Sequence, residues 1–220
     1  MTSQDDFEAL VYAGVTLPDF QEQPAAVATS IVKRGLDIVG AGMALVFIAP
    51  IMTLLALAIR LETPGPALFR QQRTGLHGRA FTVYKLRTMV AREVAGNAPA
   101  EKDDPRITSL GAVLRRLSLD ELPQLFNVLR GEMSLVGPRP HATDHDAKYL
   151  ALIDHYGLRF RTRPGLTGLS QVRGSRGGGD VSEMHRRAAL DNRYIEEWSV
   201  TMDLKIILMT IPHLLTYKPH

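Results

Sequence analysis

The chain has no cysteine in 220 residues. That excludes a disulfide framework and any thiolate metal site, and a reduced cytoplasmic setting fits it. Tryptophan occurs once and aromatic residues make up only 6%. Charge of one sign is also scarce: 26 Lys and Arg against 23 Asp and Glu leave a net +3. A nucleic-acid binder needs a denser basic surface with aromatics for base stacking, so no nucleic-acid partner is expected. The first 32 residues lack the basic, then apolar, pattern of a signal peptide. Asp5, Asp6, Glu8, Asp19 and Glu22 make them acidic, and Pro18 and Pro24 interrupt them. They read as an N-terminal extension (1–32) with little fixed structure beyond one short helix. No internal repeat is visible.

What the chain does have is one long apolar run. Ile38 to Ile59, "IVGAGMALVFIAPIMTLLALAI", is apolar apart from Thr53. A straight helix of that length measures about 33 Å, enough to cross a hydrocarbon core of about 30 Å. A buried core helix is the bland alternative, but some six turns apolar on every face are unusual in so small a soluble domain. Pro50 interrupts the run and removes a helical hydrogen bond. The pieces on either side are about 18 Å and 13 Å long, so neither crosses alone. A kinked span and a re-entrant helix both remain open. Lys33 and Arg34 precede the run, and Arg60, Arg70 and Arg73 follow it. Basic flanks prefer the cytoplasmic side, so basic residues at both ends favour a re-entrant membrane helix over 33–60, bent at Pro50. Residues 61–220 then form a cytosolic domain.

The expected fold class is α+β and mostly helical. Ala67–Gln71 and Ala80–Lys85 read as a small β-hairpin turning at Gly75 and Gly78. Residues 90–106 read as a loop. Leu110, Val113, Leu114 and Leu117, then Leu122, Leu125, Phe126 and Leu129, recur at helical spacing. Helices are expected over 143–160, 181–197 and 200–216, the last apolar enough to lie on the membrane surface. Residues 161–180 read as loop with one short strand at most, mobile at Gly177 to Gly179.

The stretch "LSLDELPQLFNVLRGEMSLVGPRP" (117–140) carries the chemistry. Asp120 and Glu121 are adjacent and sit just before Pro123. Asp120 as N-cap puts the proline at the third helical position, where it costs nothing. Ser118 as N-cap lets Glu121 complete a capping box, at the cost of one bond. Acidic residues are common at helix starts for these reasons alone. Their company points further. Arg115, Arg116, Arg130, Arg139, Arg161 and Arg163 cluster around the pair, with Arg139 between Pro138 and Pro140 and Arg163 before Pro164. Proline-stiffened arginines suit bidentate phosphate binding. Adjacent carboxylates among them suit Mg²⁺ binding and attack on phosphorus. The arginines and helix dipole are expected to keep Asp120 ionised.

The stretch from Lys33 to about Ile206 resembles the bacterial sugar transferases, the monotopic phosphoglycosyl transferases that act on polyprenyl phosphate. The motifs are "KRGLD", "VYKLRTM", "DDPRIT", "LRRLSLDELPQLFNVLRGEMSLVGPRP", "RPGLTGLSQVRG" and "DLKI", in that order. The likeness is to the minimal form that initiates exopolysaccharides. It implies transfer of sugar-1-phosphate from a UDP-sugar to undecaprenyl phosphate, giving UMP and the lipid diphosphosugar. It implies Asp120 as nucleophile, Glu121 as its partner and Mg²⁺ ligand, and Arg115, Arg139 and Arg163 around the phosphate. Asp191 falls where the family has an acidic residue near the site, and Lys85 and Arg87 are weaker candidates. The resemblance further implies a re-entrant helix broken at the proline, on the cytoplasmic face of the inner membrane and in contact with its lipids. Two departures stand out: Ala49 replaces a serine common before the proline, and Ser170 stands where relatives often carry an aromatic or alanine, followed by a different glycine run. The donor sugar and any homo-oligomer stay open. A membrane-anchored scaffold is the non-enzymatic alternative, but it has no need of "SLDELPQL" beside stiffened arginines.

Overall fold

The computed structural model describes residues 24–90, 104–174 and 180–216. Most of the N-terminal extension, most of the loop expected over 90–106, and Gly177 to Gly179 lie outside the described residues. A one-turn helix, α1 (Ala26–Thr29), precedes α2 (Ile31–Glu62). The hairpin pairs β1 (Leu68–Thr74) with β2 (Ala80–Leu86), antiparallel, from Leu68↔Leu86 to Thr74↔Ala80. Then come α3 (Ser109–Arg116), a 3-10 turn (Leu119–Glu121), α4 (Gln124–Arg130), β3 (Ser134–Val136) and α5 (Thr143–Leu150). A second 3-10 turn (Tyr156–Arg161), β4 (Gly165–Thr167), α6 (Leu169–Val172), α7 (Val181–Glu196) and α8 (Val200–Thr216) complete the order. The architecture is mostly helical with small two-stranded sheets, in line with the sequence.

Helix α2 is the spine. At 32 residues it is about 48 Å long. One stripe faces the body: Lys33, Asp37, Ala41, Leu45 and Ile59 are buried, and Ala44, Ile48, Met52 and Leu55 pack beside them. The four-residue steps keep that stripe on one helix face. The remaining faces expose Val39, Met43, Val46, Phe47, Ile51, Leu54, Leu57 and Leu61. An apolar surface of that extent marks contact with membrane or protein rather than water. The helical assignment runs through Pro50, so the expected division into two pieces is not seen. A hydroxyl does bond a carbonyl at this turn: Thr53 Oγ1 donates to Ala49 O at 2.9 Å, the type of i−4 bond that accompanies helix bending.

Both ends of α2 are fastened by buried charge. Lys33 Nζ donates to Val136 O (3.0 Å) and Asp203 Oδ2 (2.8 Å), with Asp37 Oδ1 at 3.6 Å. Asp37 accepts from Ser134 Oγ and Leu135 N, and Asp203 from Tyr194 and Trp198. "KRGLD" and "DLKI" are therefore two halves of one clasp. Removing one partner of such a buried pair costs about 3–5 kcal/mol. At the other end Arg87, 8% exposed, donates to Ile59 O, Thr63 O and Pro64 O, closing the open carbonyls of the last turn. Gly65 follows at φ +115, and a Cβ there would meet Arg87 Nη1 at 2.4 Å.

One expectation fails here, and one strand pair was only half legible. The helix over 143–160 stops at Leu150 and restarts as the 3-10 turn Tyr156–Arg161, with His155 left-handed at φ 59. The pair β3–β4, parallel through Ser134↔Gly165 and Val136↔Thr167, was legible on the β4 side only. It needs backbone contact across glycine: a Cβ on Gly165 would lie 2.0 Å from Gly137 N.

Candidate active site

The Asp120–Glu121 pair lies on the 3-10 turn between α3 and α4. Neither expected cap forms. Ser118 is left-handed at φ 54, and Pro123 is itself the N-cap of α4. Proline fixes φ and donates no N–H, so the α-helix begins only after it. The turn before it closes through Glu121 N to Ser118 O and Leu122 N to Leu119 O, both 3.3 Å. The far end of α4 is held by Arg34, which donates to Val128 O (2.6 Å) and Leu129 O (2.7 Å). Asn127, fully buried, binds Thr82 O and accepts from Tyr84 N, fixing α4 to β2.

That attachment brings Lys85 of β2 to the pair. Lys85 Nζ donates to Glu121 Oε1 at 2.9 Å. Arg139, from between its prolines, donates Nη2 to Oε1 at 2.7 Å and Nη1 to Oε2 at 3.3 Å. Burial alone would raise the Glu121 carboxyl. The charges and hydrogen bonds of Arg139 and Lys85 outweigh it and hold the group well below its ordinary value. Asp120 behaves oppositely. Burial and the Glu121 charge push its pKa up to about 6 against the pull of Lys85, Arg115 and Arg139. The expected pull of the arginines is present but outweighed, so the net shift is upward. Asp120 is ionised at neutral pH, but with a basicity raised toward that of a competent nucleophile. Its carboxylate accepts no hydrogen bond among the described residues, while Arg115 Nη1 is buried without a partner there.

The other expected residues divide. Asp191, on α7, does not touch the pair. It binds Arg159 at 3.0 Å, and Arg159 donates to Arg139 O at 2.6 Å. Arg159 also meets Tyr156 OH at 2.6 Å and Asp146 at 3.4 Å. This buried cluster backs the loop that carries Arg139. Burial and the nearby Arg159 push His141 in it down to about 3, so it is neutral. Arg163 serves the scaffold, donating to Gly131 O (2.9 Å) and Ala28 O (2.8 Å). Arg87 caps α2, as described. Neither bonds the Asp120–Glu121 pair. Sequence reading missed Arg159, Asp146 and Tyr156, since nothing local marks an arginine as buried. It also missed Arg73, which contacts Pro140 O at 3.5 Å and whose pKa burial and Arg139 lower to about 10.

Mg²⁺ was expected on Glu121. Among the described residues no three His, Cys, Asp or Glu side chains converge to hold a metal. Glu121 Oε1 already serves two cations, but Oε2 has only the 3.3 Å contact. The donor set fits an ion that brings most of its ligands with it, as Mg²⁺ on a diphosphate does.

Two carboxylates ringed by Lys85, Arg115 and Arg139 form a charge cluster of the kind that phosphoryl transfer can use. The sequence profile of the family described as "Bacterial sugar transferase" matches residues 28–217, and the chain belongs to that family. It is 56% identical over 192 residues to the UDP-glucose:undecaprenyl-phosphate glucose-1-phosphate transferase of Caulobacter vibrioides, covering 86% of this chain and 72% of that protein. The protein of the same description in Escherichia coli K12 is 44% identical over 200 residues, 90% of this chain but 43% of its own length. The exopolysaccharide production protein PSS of Rhizobium leguminosarum bv. phaseoli is 45% identical over 192 residues, 84% of this chain and 96% of that one.

Proposed function

We propose that this chain transfers sugar-1-phosphate from a UDP-sugar, with glucose as the working donor, to undecaprenyl phosphate at the membrane surface, the first membrane step of exopolysaccharide assembly. The observation that carries this is an unbonded Asp120 carboxylate beside a Glu121 neutralised by Lys85 and Arg139. The donor follows the printed names of the Caulobacter and E. coli relatives; an Aeromonas hydrophila relative at 39% identity is named for N-acetylgalactosamine.

An Asp120 oxygen attacks the phosphorus that bears the sugar. The bond from that phosphorus to the bridging oxygen breaks, and UMP leaves with the oxygen and its electron pair. A phosphate oxygen of undecaprenyl phosphate then attacks the same phosphorus, and the bond to Asp120 breaks, restoring the carboxylate. No net proton transfer is required. Arg115 and Arg139 offer donors to the equatorial oxygens, and Lys85 keeps Glu121 from repelling the incoming diphosphate. Glu121 would hold Mg²⁺, which would supply further charge neutralisation there. A covalent intermediate lets one site serve a soluble and a membrane substrate in turn.

Helix α2 is the anchor in this reading, with both ends on the cytoplasmic side. Support comes from its packing: Lys33 at one end and Ile59 at the other bind the same body. A re-entrant course bent near Pro50 is the form proposed.

The test is incubation of purified protein with UDP-glucose labelled in the sugar-bearing phosphate, before adding polyprenyl phosphate. Label should appear on the peptide containing Asp120, with UMP released in step, and pass to lipid on addition. Lipid product formed with Asp120 unlabelled at every time point would overturn the covalent route.

A further inference from the structure

Tyr84 precedes Lys85 on β2, and two guanidiniums share its ring. Arg130 Cζ lies 5.2 Å from the ring centroid and Arg70 Cζ 5.9 Å. Arg70 faces Tyr84 directly in the hairpin register. Arg130 Nη1 also donates to Tyr84 OH at 2.8 Å. Both arginines are exposed, and among the described residues neither forms an ion pair with a carboxylate. Two cations on one ring, with no carboxylate beside either among the described residues, leave positive charge that an anion would neutralise.

The neighbourhood indicates where the anion comes from. Leu68 stands two residues before Arg70, on the same strand face, and is 44% exposed. Phe126 stands four residues before Arg130, on the same helix face, and is 47% exposed. Each guanidinium thus has an exposed apolar side chain beside it. That pairing suits a bilayer surface, where apolar groups enter the acyl boundary and arginines meet phosphate. Planar guanidiniums also match phosphate oxygens bidentately. This surface is separate from the Glu121 clamp, whose cations are Lys85 and Arg139.

We propose that Arg70 and Arg130, gathered on Tyr84, form a second phosphate-binding site for a lipid, either an anionic headgroup or a polyprenyl phosphate. The site does not depend on the reaction assigned to Asp120, and its test reads binding rather than turnover.

The full-length protein in neutral detergent is titrated with short-chain phosphatidylglycerol, short-chain polyprenyl phosphate, short-chain phosphatidylcholine and UDP-glucose. Each basic residue at an anionic surface contributes on the order of a five-fold gain in affinity. The double variant Arg70→Gln, Arg130→Gln should therefore lose on the order of 25-fold in affinity for at least one phosphate lipid. Its affinity for UDP-glucose should not change. Loss confined to phosphatidylglycerol assigns a headgroup site, and loss confined to polyprenyl phosphate assigns a site for the acceptor lipid. Arg70→Lys, Arg130→Lys should recover part of the loss, since charge returns without the planar fork. Both arginines are exposed, and an unchanged thermal transition in the double variant checks its fold. Unchanged affinity for both phosphate lipids, an equal loss for phosphatidylcholine, or loss for UDP-glucose alone would each overturn the proposal.

Discussion

Replacing Asp120 with asparagine should stabilise the protein while abolishing transfer. Burial and the Glu121 charge raise Asp120 from 3.8 to about 6. At 1.36 kcal/mol per pKa unit this corresponds to about 3 kcal/mol of cost to the folded state, with the side chain charged. The side chain is only partly buried by exposure, and solvent screening reduces the figure to roughly 1.5 kcal/mol. Because the folded value lies above the unfolded one, the proton is favoured in the folded state. The cost is therefore absent below about pH 4, builds between about pH 4 and 6, and is complete above about pH 6. Asparagine keeps the shape without the charge. The variant should melt about 3–6 °C higher near neutral pH, and the gain should shrink toward zero as the pH falls to about 4. Thermal unfolding in neutral detergent with EDTA measures this, and UMP release should fall by at least ~1,000-fold. A gain of equal size at about pH 4.5 and 7.5 would refute the electrostatic argument. Wild-type-like turnover would refute the nucleophile.

For the wild-type enzyme, kcat/KM should be on the order of ten-fold lower at about pH 5 than on its plateau above pH 7, since the nucleophile must be ionised; a flat profile across that range contradicts the raised Asp120. Glu121→Gln, and separately EDTA, should each cut UMP release by on the order of 100-fold without lowering the melting temperature by more than a few degrees; full activity in EDTA removes the metal from the site. Arg159→Met should lower kcat far more than it changes the KM for the UDP-sugar, because Arg159 acts by holding the Arg139 loop, and Arg159→Lys should restore part of the rate; a pure KM effect would mean that Arg159 meets the substrate. Lys33→Met should cost about 3–5 kcal/mol by leaving Asp37 and Asp203 buried and unpaired, read from denaturant unfolding, and a change under 1 kcal/mol would show the clasp to be dispensable. Cysteines placed singly at the exposed Thr29 and Arg79 should both resist an impermeant reagent in intact cells and both label after permeabilisation; labelling of Thr29→Cys alone in intact cells would mean that α2 spans.

The sequence by itself determined the features that depend on local pattern. The apolar run of α2, the hairpin, the helices α7 and α8 and the adjacent carboxylates all follow from composition, period and turn residues. The family resemblance rested on motifs rather than on pattern, and Lys85 entered as a candidate only through it. Tertiary structure alone decided what each arginine meets. Arg34, Arg87 and Arg163 look on paper like Arg139, yet they close helix ends and loop carbonyls, while Arg139 clamps Glu121. Pro123 set the start of α4 past the carboxylates, and the direction of the Asp120 shift came from burial beside Glu121. The clasp of Lys33 with Asp203 joins residues 170 positions apart. A charge's role depends on its solvation and on its nearest opposite charge, and both are set by contacts distant in sequence. Periodicity reports which face of an element is apolar, but not what that face meets.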